Sequence, residues 1–308
     1  GVRVLVDGQW GFAAGNVVSE AEAARLAGLA VEIARASGAV RKREVRLAPT
    51  PPTVDTWESP CRIDPWSVPT ARKVDLLREA CKAAQSGGSD VRVAMSYMRA
   101  IREVKTFAST QGARIVQTST ITSAGVRAVA VGAGEMQVRS YPGTFDGNVR
   151  QAGYEFVEEM DLAANAERVG GEAQALLSAR QCPSGTMTLI LGTNQLALQI
   201  HESCGHPTEL DRVYGTEASF AGTSFLTTEK LGRYRYGSDL VNLYADSNIP
   251  GGLGTFGYDD EGTPACHSYL VKDGMFVGYL MSRETAHDLS TVSNGAMRAS
   301  GWEIGRAS

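Results

Sequence analysis

Apolar and polar residues first alternate with period two. Val2-Arg3-Val4-Leu5-Val6 reads as a strand, and Gln9-Trp10-Gly11-Phe12-Ala13 can pair with it across an Asp7-Gly8 turn. The period then becomes helical. Ser19 and Glu22 form a capping box, and Leu26, Leu29, Ala30 and Ile33 recur at helical spacing until Gly38 stops the run. A second helix is predicted from about Thr70 to Gln85, ending at Gly87-Gly88, with Val74, Leu76, Leu77 and Cys81 on its inner side. From Val91 to about Arg139 alternation returns through Val93, Met95 and Tyr97. The phase slips near Met98-Arg99, and Arg114-Ile115-Val116 and Val126-Arg127-Ala128-Val129 continue the strand pattern. This predicts an antiparallel sheet with a bulge or bend. Helical sequence runs again from Tyr154 to about Ala179, broken by Gly170-Gly171, and Cys182-Pro183-Ser184-Gly185 reads as a boundary.

Beyond that boundary, Met187-Thr188-Leu189-Ile190-Leu191 reads as a short buried strand. Gly192 follows, then Thr193 or Asn194 as a helix cap, and Leu196, Ala197, Leu198 and Ile200 as an apolar helix. Asp239 to Tyr244 and Ser268 to Val271 look like strands, and Lys272-Asp273-Gly274 turns into Met275-Phe276-Val277-Gly278-Tyr279. The expected fold class is α+β, with no internal repeat. Residues 1–181 form a helix-plus-antiparallel-sheet region, its first domain incomplete, and residues 182–308 form a sheet-rich domain carrying one kinked metal-binding helix. A length of 308 residues suits two domains at roughly 100–200 residues each.

That helix ends in the chain's strongest chemical signal, His201-Glu202-Ser203-Cys204-Gly205-His206-Pro207-Thr208-Glu209-Leu210-Asp211. Two imidazoles can hold a divalent metal, and a carboxylate beside the first can take a proton from metal-bound water. Histidines four apart on a helix both face one ion, but these are five apart. At about 100° per residue the second is turned roughly 140° from the first, so the helix has to bend. Gly205 and Pro207 flank His206 and are where a kink is predicted. The motif then falls at the buried end of a core helix. Glu209 and Asp211 are candidate acceptors for a ligand imidazole, or else surface charges.

Composition narrows the alternatives. A net charge of −4 is the wrong sign for a protein living on phosphate backbones. The basic run Arg41-Lys42-Arg43 with Arg46 is interrupted by Glu44, runs into prolines and reads as a solvated strand and linker. Five cysteines, without Cys-x-x-Cys, indicate a reducing compartment, with cytoplasm the default. No stretch is long and apolar enough to span a membrane. The loop from Pro250 to Gly262 is glycine-rich but acidic, which excludes phosphate cradling. It reads as either a cleft loop that pairs with an extended peptide or a mobile surface connection.

From His201 through Leu226 the sequence resembles the TldD/PmbA family, also called modulators of DNA gyrase, and specifically its TldD-type catalytic subunit. The resemblance extends to Gly1 through Ala14, Arg139-Ser140-Tyr141-Pro142, Gly153-Tyr154-Glu155, Cys182-Pro183-Ser184-Gly185, Ile249 through Gly262 and Ser293-Asn294-Gly295, nearly the whole chain. It implies a zinc peptidase acting on short or unfolded peptides in an enclosed chamber. His201 and His206 would hold Zn2+ and Glu202 would be the general base. It also implies a homo- or heterodimer with a TldE/PmbA-like subunit, which lacks the motif. The family's third ligand is a cysteine beyond the point matching Ser308, and the chain begins inside a strand without an initiator Met, so it reads as a fragment cut at both ends whose activity is left open. Cys266 and His267 are the internal stand-ins, against the plainer reading of an ordinary strand pair.

Two rival functions remain at this stage. One is a non-catalytic binding or assembly subunit with a vestigial or structural His pair. The other uses Cys204 as a nucleophile with His206, which is geometrically poor because residues two apart on a helix face apart.

Overall fold

Asp7 and Gly8 both take positive φ, 49° and 70°, which supplies the two-residue turn joining β1 (Val2–Val6) to β2 (Gln9–Ala13). The computed structural model describes residues 1–40, 43–132, 134–143, 147–219 and 222–298. Helix α1 (Glu20–Ser37) packs on this hairpin. Ser19 caps it by accepting from the Glu22 N–H, but the Glu22 carboxylate turns to Arg25, so only half of the capping box forms. The buried stripe is Leu26, Ala30 and Ala34, whereas Leu29 and Ile33 stay exposed. Small residues let the helix lie close to the hairpin, which a search for large apolar residues overlooks.

Strand β3 (Val54–Glu58) was hidden in the sequence behind Pro49, Pro51 and Pro52. Helix α2 (Thr70–Ser86) follows, burying Ala80 and Ala84 and leaving Val74 exposed. Two long strands, β4 (Val91–Ala108) and β5 (Arg114–Gly132), then pair antiparallel along their whole length. The register shift lies between Val91 and Val93, and none occurs at Met98-Arg99. What the sequence registered as a slip is a change of buried face along one continuous strand: 94, 96, 98 and 100 are half-buried, then 103, 105 and 107. The other edge of β5 is filled in succession by β3 in parallel, then antiparallel by β7 (Asn148–Gln151) and β6 (Glu135–Tyr141).

Helix α3 (Glu155–Met160) ends at Asp161, whose φ of 45° breaks the run, and α4 (Leu162–Leu176) passes through Gly170-Gly171 without interruption. The predicted break is therefore misplaced. The glycines serve packing, because a Cβ on Gly170 would sit 2.0 Å from the Ala84 carbonyl oxygen of α2. Together α2 and α4 cover one sheet face, with Val126, Ala128, Tyr154, Val157, Leu162 and Val169 in the core. Gly170→Ala is expected to cost about 1–3 kcal/mol by pushing α2 outward. Thermal unfolding checks this, and an unchanged midpoint would mean that the two helices are loosely seated.

The chain is exposed and without regular structure across 180–192, so Met187-Thr188-Leu189-Ile190-Leu191 is not a buried strand. Helix α5 (Thr193–Ile200) starts at Gly192 without a side-chain cap and buries no residue. The short α6 (Leu210–Val213) follows the motif. Strands β8 (Leu243–Asp246), β9 (His267–Lys272) and β10 (Met275–Phe276) make a three-stranded sheet in the order β10-β9-β8, and α7 (Arg283–Asp288) follows with a complete Ser282–Thr285 capping box. The Asp273-Gly274 turn has positive φ at both residues, as its letters predict.

The loop from Pro250 to Gly262 is neither an open edge nor a mobile connection. Gln117 of β5 holds it by donating to the Tyr258 carbonyl and accepting from the Gly257 and Tyr258 N–H groups. Lys105 pairs with Asp260, Arg3 with Glu261, and the Tyr258 hydroxyl donates to Asp55. Inside it, the Asp259 carboxylate accepts from the backbone N–H groups of Glu261, Thr263 and Met297. A backbone tied on so many sides has few groups left for strand addition. The first hairpin is fastened to the same half: Trp10 Nε1 donates to Glu284, and Arg43 pairs with Glu284 and Asp288 of α7. Arg41 and Lys42 of the basic run lie outside the described residues.

Candidate metal centre

Helix α5 passes into a single π-helical turn, His201–Gly205, in which the His206 N–H donates to the His201 carbonyl. An i to i−5 bond absorbs one extra residue into a turn, so side chains five apart return to the same side. The helix does change course where expected, though by altered pitch. Gly205 has a helical φ of −53°, and a Cβ there would meet only the Ile200 carbonyl oxygen at 3.9 Å, so its flexibility is not what makes the turn. Pro207 suits the start of the 3-10 turn His206–Thr208 that follows.

Four contacts hold the turn. The Tyr236 hydroxyl donates to the Ser203 carbonyl at 2.6 Å, and Thr208 Oγ1 to the Gly205 carbonyl at 2.8 Å. Ser224 Oγ donates to the Pro207 carbonyl at 2.6 Å. Cys204, fully buried, shares a small apolar cluster with Leu270 and Val271 of β9. Just beyond, Leu280 brackets the chain, donating to the Thr208 carbonyl and accepting from the Leu210 N–H, which fixes Glu209 between them.

The two imidazoles stand with ring centroids 4.4 Å apart and planes at 73°. Glu202 Oε1 lies 4.0 Å from His201 Nε2. One donor atom from each of His201, Glu202 and His206 lies within 4.8 Å of the other two, which makes them the His/Cys/Asp/Glu group placed to hold a metal among the described residues. Two ring nitrogens bound to one tetrahedral zinc are about 3.3 Å apart, so small rotations of exposed side chains close the site. The donor set fits a divalent cation of the imidazole-and-carboxylate class. His201 and Glu202 are 60% and 63% exposed, against the predicted buried end of a core helix, because the apolar side chains of α5 meet no covering layer among the described residues.

Glu209 and Asp211 separate. Glu209 Oε1 accepts from His206 Nδ1 at 2.9 Å, while its Oε2 takes Arg212 Nε. Asp211 accepts from the Arg212 backbone N–H, and burial pushes its carboxyl above the usual carboxylate range. Cys266 Sγ donates to the Asn294 carbonyl at 2.9 Å, and His267 Nδ1 meets Asp246 on the exposed side of β9, so neither stand-in joins the motif. Burial pushes the Cys204 thiol up to about 11, against an opposing hydrogen bond with Tyr236. With so little thiolate at neutral pH, the cysteine-nucleophile rival fails. The sequence reading missed Arg212 and Tyr236. Arg212 was detectable as the cation three residues after Glu209 on a helix start, whereas nothing in the letters links Tyr236 to Ser203.

The pattern of the PmbA/TldA metallopeptidase C-terminal domain matches residues 184–306, that of the central domain 63–178, and that of domain 1 residues 1–34. The chain belongs to the PmbA/TldD family. It is 29% identical over 301 residues to a metalloprotease of Methanocaldococcus jannaschii and 30% identical over 300 residues to one of Methanothermobacter thermautotrophicus. Each match takes in 97% of this chain but 63% and 61% of the relatives, so the chain spans about three fifths of their length. Among solved structures, a protein described as a modulator of DNA gyrase from Thermotoga maritima matches with a TM-score of 0.72 at 18% identity, over 97% of this chain and 63% of that one. TldE from Thermococcus kodakarensis matches with a TM-score of 0.69 at 16% identity, over 99% and 64%. These likenesses bear out the α+β fold. No helix among the described residues is long and apolar enough to cross a membrane.

Proposed function

We propose that this PmbA/TldD chain is a zinc peptidase whose His201-Glu202-x-x-x-His206 turn holds the metal and whose substrates are short or unfolded peptides. The observation that carries this is the π turn itself: it brings His201, Glu202 and His206 together in a member of a metallopeptidase family. When bound, zinc supplies Lewis acidity, polarising a scissile carbonyl and acidifying water. His201 and His206 bind it through ring nitrogens. Glu209 accepts the Nδ1 proton of His206 and leaves Nε2 free to coordinate. Glu202 holds a carboxylate beside the site, where it takes the proton from attacking water and passes it to the leaving amine. The proposal includes a TldE/PmbA-like partner subunit, a division into an N-terminal and middle region (1–181) and a catalytic region (182–308), and a cytoplasmic location. The test is zinc content. About one ion per purified chain is expected, lost in His206→Ala. A metal-free wild type after loading with zinc, or a His206→Ala that keeps its ion, would sink the reading.

A further inference from the structure

Arg212 lies on the short helix after the motif and reaches back toward it. Its Nε and Nη2 both meet Glu209 Oε2, each at 2.9 Å, which leaves Oε1 for His206 Nδ1. A carboxylate only accepts hydrogen bonds, so the imidazole proton sits on Nδ1 and the lone pair on Nε2. Arg212 Nη2 also comes within 3.4 Å of Nδ1, but both groups there carry N–H, so this is an approach without a bond. Glu217 Oε2 stands 3.8 Å from the same Nη2, a second carboxylate beside the guanidinium.

The Arg212 and Glu209 side chains are only 12% and 10% exposed. An ion pair buried this deeply roughly breaks even in stability against apolar replacements, because desolvation offsets the attraction. What the pair supplies is direction. A planar fork gripping one oxygen fixes the plane of the carboxylate, and the other oxygen then fixes the imidazole. The backbone of Glu209 is already held by its bridge to Leu280, so only its side chain needs this grip.

We infer that Arg212 is a positioning residue of the metal centre, acting through Glu209 to set the tautomer and aim of His206. The consequence for metal rests on the function proposed above, whereas the consequence for the tautomer does not. The test therefore has two readouts on wild type, Arg212→Met and Arg212→Lys. Imidazole 15N shifts of metal-free protein, followed from neutral to alkaline pH, are expected to show His206 as Nδ1–H in wild type. Arg212→Met is expected to give a tautomer mixture, and Arg212→Lys, with a point charge in place of a fork, an intermediate. Zinc affinity is expected to fall about 10–100-fold in Arg212→Met, with no further loss when Arg212→Met is added to Glu209→Gln. An unchanged Nδ1–H signal in both variants, or losses that add in the double variant, would overturn the inference. If Arg212→Met fails to fold, Arg212→Lys carries the same comparison. A tautomer shift in a protein that binds no zinc would uphold the positioning and sink the peptidase reading.

Discussion

Glu202→Gln is expected to lower peptide hydrolysis about 10²–10⁴-fold while leaving zinc content and melting temperature unchanged. The amide keeps the size and shape of the carboxylate but cannot take a proton. The side chain is exposed, so its replacement removes no packing. Its position also makes the experiment decisive between two chemical roles. Glu202 is next to His201 in sequence, and its oxygen belongs to the same donor group as both imidazoles, so it is placed either to move protons or to coordinate. A general base lost to glutamine leaves the ion in place, whereas a ligand lost to glutamine weakens metal binding as well. Turnover of an unstructured peptide and metal content, measured on the same preparation, separate these. Unchanged turnover would remove Glu202 from the chemistry, and no turnover in either protein would favour the binding or assembly subunit. Insensitivity to a thiol alkylator is expected in the same assay, since Cys204 is buried and its thiol titrates far above neutrality.

Much of the fold was legible because local chemistry determined it. The Asp7-Gly8 and Asp273-Gly274 turns, the Ser19 cap and the ends of α2 all follow from residues within a few positions of one another. The errors arose where a distant partner decides. Gly170-Gly171 carries the letters of a helix break, yet α2 passes against Gly170 and turns the pair into a crossing point. Leu196, Leu198 and Ile200 have the periodicity of a core helix, yet periodicity specifies only the face and says nothing of what covers it. The Pro250 to Gly262 loop carries the letters of an exposed connection but is consumed by Gln117, Lys105, Asp55 and Arg3, each remote in sequence. At the site, the motif residues were plain in the letters, and the spacing of five forced a departure from the α-helix. That the departure is a π turn, pinned by Cys204 and Tyr236, depends on contacts with a sheet built some forty to seventy residues later.

Between about pH 4 and pH 7 Asp259 is expected to cost the folded chain stability as pH rises, and Asp259→Asn is expected to remove that contribution. Burial raises its carboxyl to about 7 from an ordinary 3.8; the Thr263, Glu261 and Met297 N–H groups oppose the rise and the Glu261 charge reinforces it. In this window the folded state binds a proton that the unfolded state does not, so stability falls as pH rises. The contribution is complete below about pH 4 and gone above about pH 7, and a gap of about three units corresponds to something on the order of 4 kcal/mol. The groups around Asp259 are already engaged: Glu261 with Arg3, Asp260 with Lys105, the Arg283 N–H with Glu261, and Tyr258 with Asp55. Carboxyls held below their ordinary range, such as Asp55, Asp64 and Asp246, slope the opposite way. The measurement is therefore the difference between wild type and Asp259→Asn in denaturant unfolding at about pH 5 and about pH 8. The loop that Asp259 organises fastens the β4–β5 sheet and the first hairpin to the half carrying the motif. Its loosening at high pH should appear first as faster amide exchange at Glu261 and Thr263, whose N–H groups the carboxylate holds. Parallel slopes in the two proteins would mean that those N–H bonds outweigh burial and that Asp259 is ionised throughout.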